Sequence, residues 1–306
     1  HPTGRLSPGD RWRLFKVENK GTHKIIRTFV LTFTRKNNIK RMFFYLSFAC
    51  SSFIAGLFLR RRDIVFASSP PIFHVYTAML TAMIKRSRFV LDVRDIWPDT
   101  AYQFKAVSSN RLLKWGGHIE RQLYRKAYLI FTVSRGLKEK VEKRGGYEKV
   151  KVIYNGSNTD MLQWTGDIEA VRSSMRCSGK LIICYAGLIG LGQDLTRLLP
   201  DIAGLRSREI HFVFIGDGPD KEPFRQEAMR LKIKNISIMD LLPRKDVIPY
   251  THAADIMMVV LRESDFFKSA IPSKFFDCLA AGKPVVTNVN GELRELLEVS
   301  NSGVYF

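Results

Sequence analysis

A chain of 306 residues with 45% hydrophobic content can bury a substantial core and is long enough for two domains, which excludes a disordered or fibrous protein. Its 49 Lys and Arg outweigh 29 acidic residues, giving a net charge of +20, so the favoured partners are anions: phosphate groups, nucleic acid or an anionic lipid surface. The cysteines Cys50, Cys177, Cys184 and Cys278 lack any C-x-x-C spacing, which excludes a disulfide framework and fits structural thiols in a reducing compartment.

The chain opens on "HPTGRLSPGD", which has none of the order of a signal peptide. "RWRLFKV" and "KIIRTFVLTF" follow as candidate extended segments. The apolar run Met42 to Leu59 then approaches the length of a bilayer span. It contains three serines and a Gly, leads at once into a strand-like run, and has basic residues at both ends, so no charge asymmetry orients a crossing. Two readings fit better. One is a helix lying in a membrane interface, with Arg41, Arg60, Arg61 and Arg62 near lipid phosphates; the other is a wholly buried helix.

From there short apolar runs alternate with helical patterns. "DIVFASS", "RFVLDVRD", "AYLIFTVS" and "KVKVIYNG" read as strands, separated by helices near Ile72 to Lys85, Asn110 to Lys126 and Arg135 to Lys143. A second series comprises "KLIICYAG", "IHFVFIGDG", "NISIMD", "ADIMMVVL", "KPVVTNV" and "GVYF". Continuous apolar runs are the mark of parallel strands covered on both faces, so the fold class is α/β with two Rossmann-like domains. "NGSNTD" supplies turn chemistry between the series, and the junction is placed there, dividing residues 1–155 from 156–306. Ligands of such domains sit at the carboxyl ends of the strands.

Three segments carry chemistry. In "VLDVRDIWPDT" a strand delivers Asp92, Arg94 and Asp95 to its carboxyl end, either as acceptor-side catalytic groups or as a structural ion-pair network; Trp97 beside them is a core residue or a stacking platform. In "ICYAGLIGLGQDL" a strand ends in Gly187, Gly190 and Gly192 before an expected helix, a turn that cradles a phosphate or is merely tight. In "FKSAIPSKFFDCLAAGKPVVTN", Pro272 suits a first helical turn, Ser273 and Lys274 open the helix and Asp277 lies one turn on. Lys274 can then neutralise a diphosphate while Asp277 accepts from ribose hydroxyls. His1, His74 and His118 have no metal-site spacing, so no metal site is expected.

Taken together, "DVRDIWPDT", "YNGSNTDML", "YAGLIGLGQDL", "FIGDGP" and "PSKFFDCLAAGKPVV" stand in the order found in family 4 glycosyltransferases, and the chain resembles the O-antigen, capsule and exopolysaccharide branch that includes fucosamine transferases. The resemblance implies a GT-B fold whose domains face across a cleft, and retaining transfer without a cofactor or required metal. On it, Gly187, Gly190 and Lys274 face the donor diphosphate. Asp277 matches the second acidic position of the family's E-x7-E element, and Asp95 an acceptor-side position; Arg94 stands where many relatives carry His. The first acidic position is Ser269. Relatives begin with a further strand, Gly-rich loop and helix before the "HPTG" region and continue after "GVYF", so the chain is expected to be truncated at both ends.

The implied partners are a nucleotide diphosphate-sugar, with UDP first among the bases, and a polyprenyl diphosphate-linked saccharide at an anionic membrane surface, which places the chain on the cytoplasmic face of the cell membrane. A degenerate fragment without turnover and a nucleotide-sugar epimerase on the same fold are the competing readings. Nucleic acid is disfavoured because the basic residues are dispersed and no aromatic stacking platform interleaves with them.

Overall fold

The computed structural model describes residues 14–32, 38–97, 99–100, 110–205 and 209–306, with the side chains of residues 38, 39, 41, 110 and 112 left out. Its contacts divide the chain into two units, His1–Ile153 and Tyr154–Phe306.

The first unit opens with an antiparallel hairpin, β1 (Phe15–Lys20) and β2 (His23–Thr28), turned at Gly21, whose φ of 56° suits a residue without Cβ. The apolar run forms helix α1 (Asn38–Phe58). Lys85 stops it by donating from Nζ to the carbonyls of Leu57 and Leu59, at 2.5 and 2.9 Å. No helix among the described residues is long and apolar enough to cross a membrane. Four parallel strands follow, β3 (Ile64–Ser69), β4 (Arg88–Val93), β5 (Leu129–Thr132) and β6 (Val150–Val152), in spatial order β3-β4-β5-β6.

The intervening helices are α2 (Ile72–Lys85), α3 (Asn110–Lys126) and α4 (Arg135–Val141). α2 buries Ile72, Val75, Met79 and Ala82, the three-and-four spacing of one helix face, and ends where Arg86 turns left-handed at φ 53°. Ser134 caps α4 by accepting from the Leu137 amide at 3.1 Å. The helix expected to Lys143 ends at Val141 instead, because the chain widens into a π-type turn over Glu142–Gly146 in which Gly145 takes φ 113°.

The second unit is a six-stranded parallel sheet of order β12-β11-β10-β7-β8-β9, built from β7 (Leu181–Ala186), β8 (Ile210–Ile215), β9 (Ile236–Met239), β10 (Ile256–Val259), β11 (Val285–Thr287) and β12 (Gly303–Tyr305). Its helices are α5 (Thr159–Gln163), α6 (Ile168–Ser174), α7 (Leu199–Gly204), α8 (Lys221–Arg230), α9 (Arg244–Ala253), α10 (Ser273–Ala280) and α11 (Glu292–Ser300). Val213 and Ile215 of β8 join one core cluster with Ile182, Cys184, Phe275 and Cys278, while Phe212 and Phe214 join the other with Tyr185, Leu199 and Phe224. That alternation on two covered faces is why the strand reads as an unbroken apolar run.

Candidate functional site

The Lys274 region lies at the carboxyl end of β7. Gly187 leaves that strand at φ 148°, its amide donating to the Ile215 carbonyl at 2.9 Å. A Cβ at Gly187 would stand 2.6 Å from Lys274 Nζ, so the glycine is what admits the amine. The loop after β8 interlocks with this turn: a Cβ at Gly216 would overlap the Gly187 carbonyl oxygen, and one at Gly218 the Ile189 carbonyl oxygen. Gly190 and Gly192 are buried beside it, Gly190 accepting from the amides of Gln193 and Asp194 and Gly192 from that of Arg262.

The helix expected directly after Gly192 starts later. Asp194 turns left-handed at φ 50°, a 3-10 turn covers Leu195–Leu198, and the α-helical run of α7 begins only at Leu199, so a long helix does not aim its amino terminus from this turn. The charged group at this turn is the side chain of Lys274.

In α10, Pro272 occupies the cap position rather than the first turn, Ser273 is exposed at the helix start, and Lys274 points inward. The residue as a whole is half-buried, yet its Nζ is sealed from solvent and has no hydrogen-bond partner among the described residues. The amine lies 3.8 Å from the centroid of the Tyr185 ring, whose hydroxyl is tied to the Leu188 carbonyl at 2.5 Å. Burial lowers the Lys274 pKa to about 8, only partly opposed by the neighbouring Cys278 and Cys184, and burial pushes both thiols up to about 12.

One turn further, Asp277 Oδ1 accepts from Ser157 Oγ at 2.6 Å and from Arg244 Nη2 at 2.7 Å. Ser269, at the first acidic position of the family element, is drawn into a short 3-10 turn. The sequence reading singled out none of Tyr185, Ser157, Arg244 and Gly218. Tyr185, Ser157 and Gly218 lie inside the quoted motifs "YAGLIGLGQDL", "YNGSNTDML" and "FIGDGP", whereas Arg244 lies in none.

In the first unit the cluster expected on the acceptor side splits. Arg94 Nε donates to Asp92 Oδ2 at 2.8 Å, an oxygen that also accepts from Ser68 Oγ at 2.8 Å, so Arg94 serves an ion pair with a buried carboxylate. Asp95 turns elsewhere. Its Oδ1 accepts from the Ile96 amide at 2.8 Å, and burial raises its pKa, a rise that Asp99 reinforces and that Thr100, Ile96 and Lys140 oppose. Trp97 is half-buried, its ring 5.9 Å from and edge-on to Phe73 against the core. Arg60, Arg61 and Arg62 are exposed, and Arg60 and Arg62 border a groove of about 460 Å³ walled by Phe48, Phe53 and Phe66. The side chain of Arg41 lies outside the described residues.

The profile "Glycosyltransferase Family 4" matches residues 6–161, half of the chain, and "Glycosyl transferases group 1" matches residues 180–306. The chain belongs to glycosyltransferase family 4.

Among curated relatives, this family 4 chain is 20% identical over 252 residues to the probable glycosyltransferase WbjE of Pseudomonas aeruginosa, covering 80% of the chain and 62% of the relative. It is 24% identical over 211 residues to the putative teichuronic acid biosynthesis glycosyltransferase TuaH of Bacillus subtilis, covering 68% and 52%. The chain thus spans less than two thirds of either relative. Among solved structures, Anabaena HepE in complex with UDP-glucose superposes with a TM-score of 0.68 at 16% identity, covering 90% of this chain and 71% of HepE. WaaG, a glycosyltransferase involved in lipopolysaccharide biosynthesis, gives 0.60 at 13%, covering 90% and 84%. The fold is that of GT-B glycosyltransferases.

Proposed function

We propose that this chain transfers a sugar, with retention, from a nucleotide diphosphate-sugar to a lipid-linked saccharide in cell-surface polysaccharide synthesis. One observation carries the reading: a solvent-sealed, unpartnered lysine amine at a glycine turn on the carboxyl end of a parallel strand, one turn from an acidic residue. A buried amine without a partner is unfavourable in the free protein, and a diphosphate relieves it by supplying the missing anion. UDP is the nucleotide proposed first, because HepE carries UDP and glucose or UDP-glucose in its structures.

Lys274 stabilises the diphosphate as the bond from the anomeric carbon to the phosphate oxygen breaks and the electron pair leaves with that oxygen. Its positive charge does this without calling on a metal or cofactor. The acceptor hydroxyl forms the new bond to the anomeric carbon and gives up a proton. Asp95 is the acceptor-side candidate to assist, since its desolvated carboxylate binds a proton more readily than an ordinary Asp. Docking at the cytoplasmic membrane face rests on apolar Phe58, 86% exposed, and Ile84, 60% exposed, accompanied by exposed Arg60, Arg61 and Arg62.

Calorimetric titration of the wild type, Lys274→Ala and Asp277→Ala with UDP and GDP tests the donor site. Saturable binding of one nucleotide, lost in the Lys274 variant and weakened in the Asp277 variant, is expected. Binding of neither nucleotide, or equal binding by all three proteins, refutes it and favours a degenerate fragment.

A further inference from the structure

Asp277 presents a problem for an anion site. It stands three residues from Lys274 on α10, where side chains are neighbours, so a bare carboxylate there repels the diphosphate that the lysine attracts. The structure holds the carboxylate in a particular way. Ser157 Oγ and Arg244 Nη2 converge on the same oxygen, Oδ1, leaving Oδ2 without a partner among the described residues. Ser157 alone already satisfies Oδ1, so Arg244 is not needed to complete its hydrogen bonding. Nor is the ion pair a structural necessity. The Arg244 side chain is 59% exposed against 23% for Asp277, and pairs of that exposure add little to folding. What Arg244 does contribute is a positive charge fixed on Asp277.

We propose that Arg244 is a positioning residue of the donor site: it neutralises Asp277 in place, so that Oδ2 accepts from the donor's ribose hydroxyls without repelling the diphosphate at Lys274. This rests on the donor-site reading above. It assigns a role to a residue at the start of α9, 33 positions from Asp277, that no local pattern marks. The contribution is electrostatic and specific to phosphate-bearing ligands. A neutral nucleoside gains nothing from it, and removing the carboxylate's charge makes the arginine dispensable.

Four proteins separate the possibilities: wild type, Arg244→Ala, the double variant Arg244→Ala/Asp277→Asn, and Lys274→Met. UDP affinity is measured by calorimetry at low salt, and uridine affinity by ligand-observed NMR. Arg244→Ala is expected to weaken UDP about tenfold or more, as an unneutralised carboxylate one helical turn from the lysine that holds the diphosphate implies, while uridine changes less than about twofold. The double variant is expected to bind UDP more tightly than Arg244→Ala, because the repulsion is gone, but less tightly than wild type, because Asn offers the ribose no second oxygen. Unchanged UDP binding by Arg244→Ala overturns the proposal. So does an equal loss for uridine, which makes Arg244 a direct nucleoside contact, and so does failure of Asp277→Asn to rescue. A wild type that binds no UDP, or a Lys274→Met that binds it normally, overturns the donor-site reading itself, and the role of Arg244 with it.

Discussion

Replacing Lys274 with Met moves folding and binding in opposite directions, and that makes it a sharp test. Burial takes the amine from its ordinary 10.5 to about 8. At about 1.4 kcal/mol per tenfold change, keeping it protonated in the folded chain costs roughly 3 kcal/mol. Met fills a similar volume without that penalty but gives up the cation–π contact with Tyr185, about 1–2 kcal/mol, so a net gain of about 1–2 kcal/mol remains. For a unit of this size the gain corresponds to a melting temperature about 3–6 °C higher. The sign with pH follows from the lowered value. Because the folded state holds this proton less tightly than the unfolded state, the penalty is fully present below about pH 8, fades as pH climbs towards 10.5 and is gone above it. The variant's advantage in thermal melts therefore shrinks over that window. Meanwhile UDP affinity, measured by calorimetry near pH 7, falls by about a hundredfold or more with the loss of a buried charge-assisted contact. A variant that melts lower than wild type, or that keeps UDP affinity, refutes the idea that this amine is held unpaired for an anionic ligand.

Gly187→Ala is expected to bind UDP at least about tenfold more weakly, because the new Cβ meets Lys274 Nζ at 2.6 Å and the backbone there sits at φ 148°; wild-type affinity in the same titration contradicts the close fit. Arg144→Ala is expected to destabilise the first unit by about 3 kcal/mol in urea unfolding, because its guanidinium meets Asp99 at 2.7 Å and Glu120 at 3.0 Å, and Glu120 is left buried without its cation. The loss is expected to ease at low pH, since burial raises the Glu120 pKa and its protonated form needs no counter-charge. Changing Arg60, Arg61 and Arg62 together to Ala is expected to weaken sedimentation with anionic vesicles about a hundredfold, at about 1 kcal/mol per basic residue, and to leave zwitterionic vesicles unaffected.

The strands of both units are legible in the sequence because each is buried on two faces and reads as a continuous apolar run, from "RFVLDV" in β4 to "IHFVFI" in β8. α2 is bounded in the sequence as in the structure, since Pro70 and Pro71 precede it and its apolar face is regular. The start of α7 is not legible: the shift from Gly192 to Leu199 depends on a left-handed Asp194, a conformation no apolar period records. Lys274 and Asp277 are visible because they share a helix. Ser157 and Arg244 lie 120 and 33 positions from Asp277, and only the packed sheet and its loops bring them to it. Tyr185 is concealed for another reason, since within "LIICYA" an aromatic is indistinguishable from core.

Two half-buried basic residues, Arg144 and Lys274, show how burial separates structure from function. Arg144 is half-buried and fully answered, clamped by Asp99 and Glu120, and nothing about it asks for a ligand. Lys274 is sealed completely at its tip and meets no hydrogen-bond partner among the described residues, although the chain holds Asp277 one turn away and gives that carboxylate to Ser157 and Arg244 instead. A fold selected only for stability would let Asp277 close on Lys274 or replace the lysine with an apolar residue. Keeping the amine apart and the carboxylate occupied leaves a positive charge without a hydrogen-bond partner among the described residues at a strand end, and in the proposed donor site the unfavourable burial is recovered when the diphosphate arrives. Backbone that only glycine adopts freely lies at the same place, in Gly187 at φ 148° and Gly218 at φ 156°. Buried charge and glycine-only backbone thus coincide at the end of β7, where the proposed donor site sets a diphosphate against the amine.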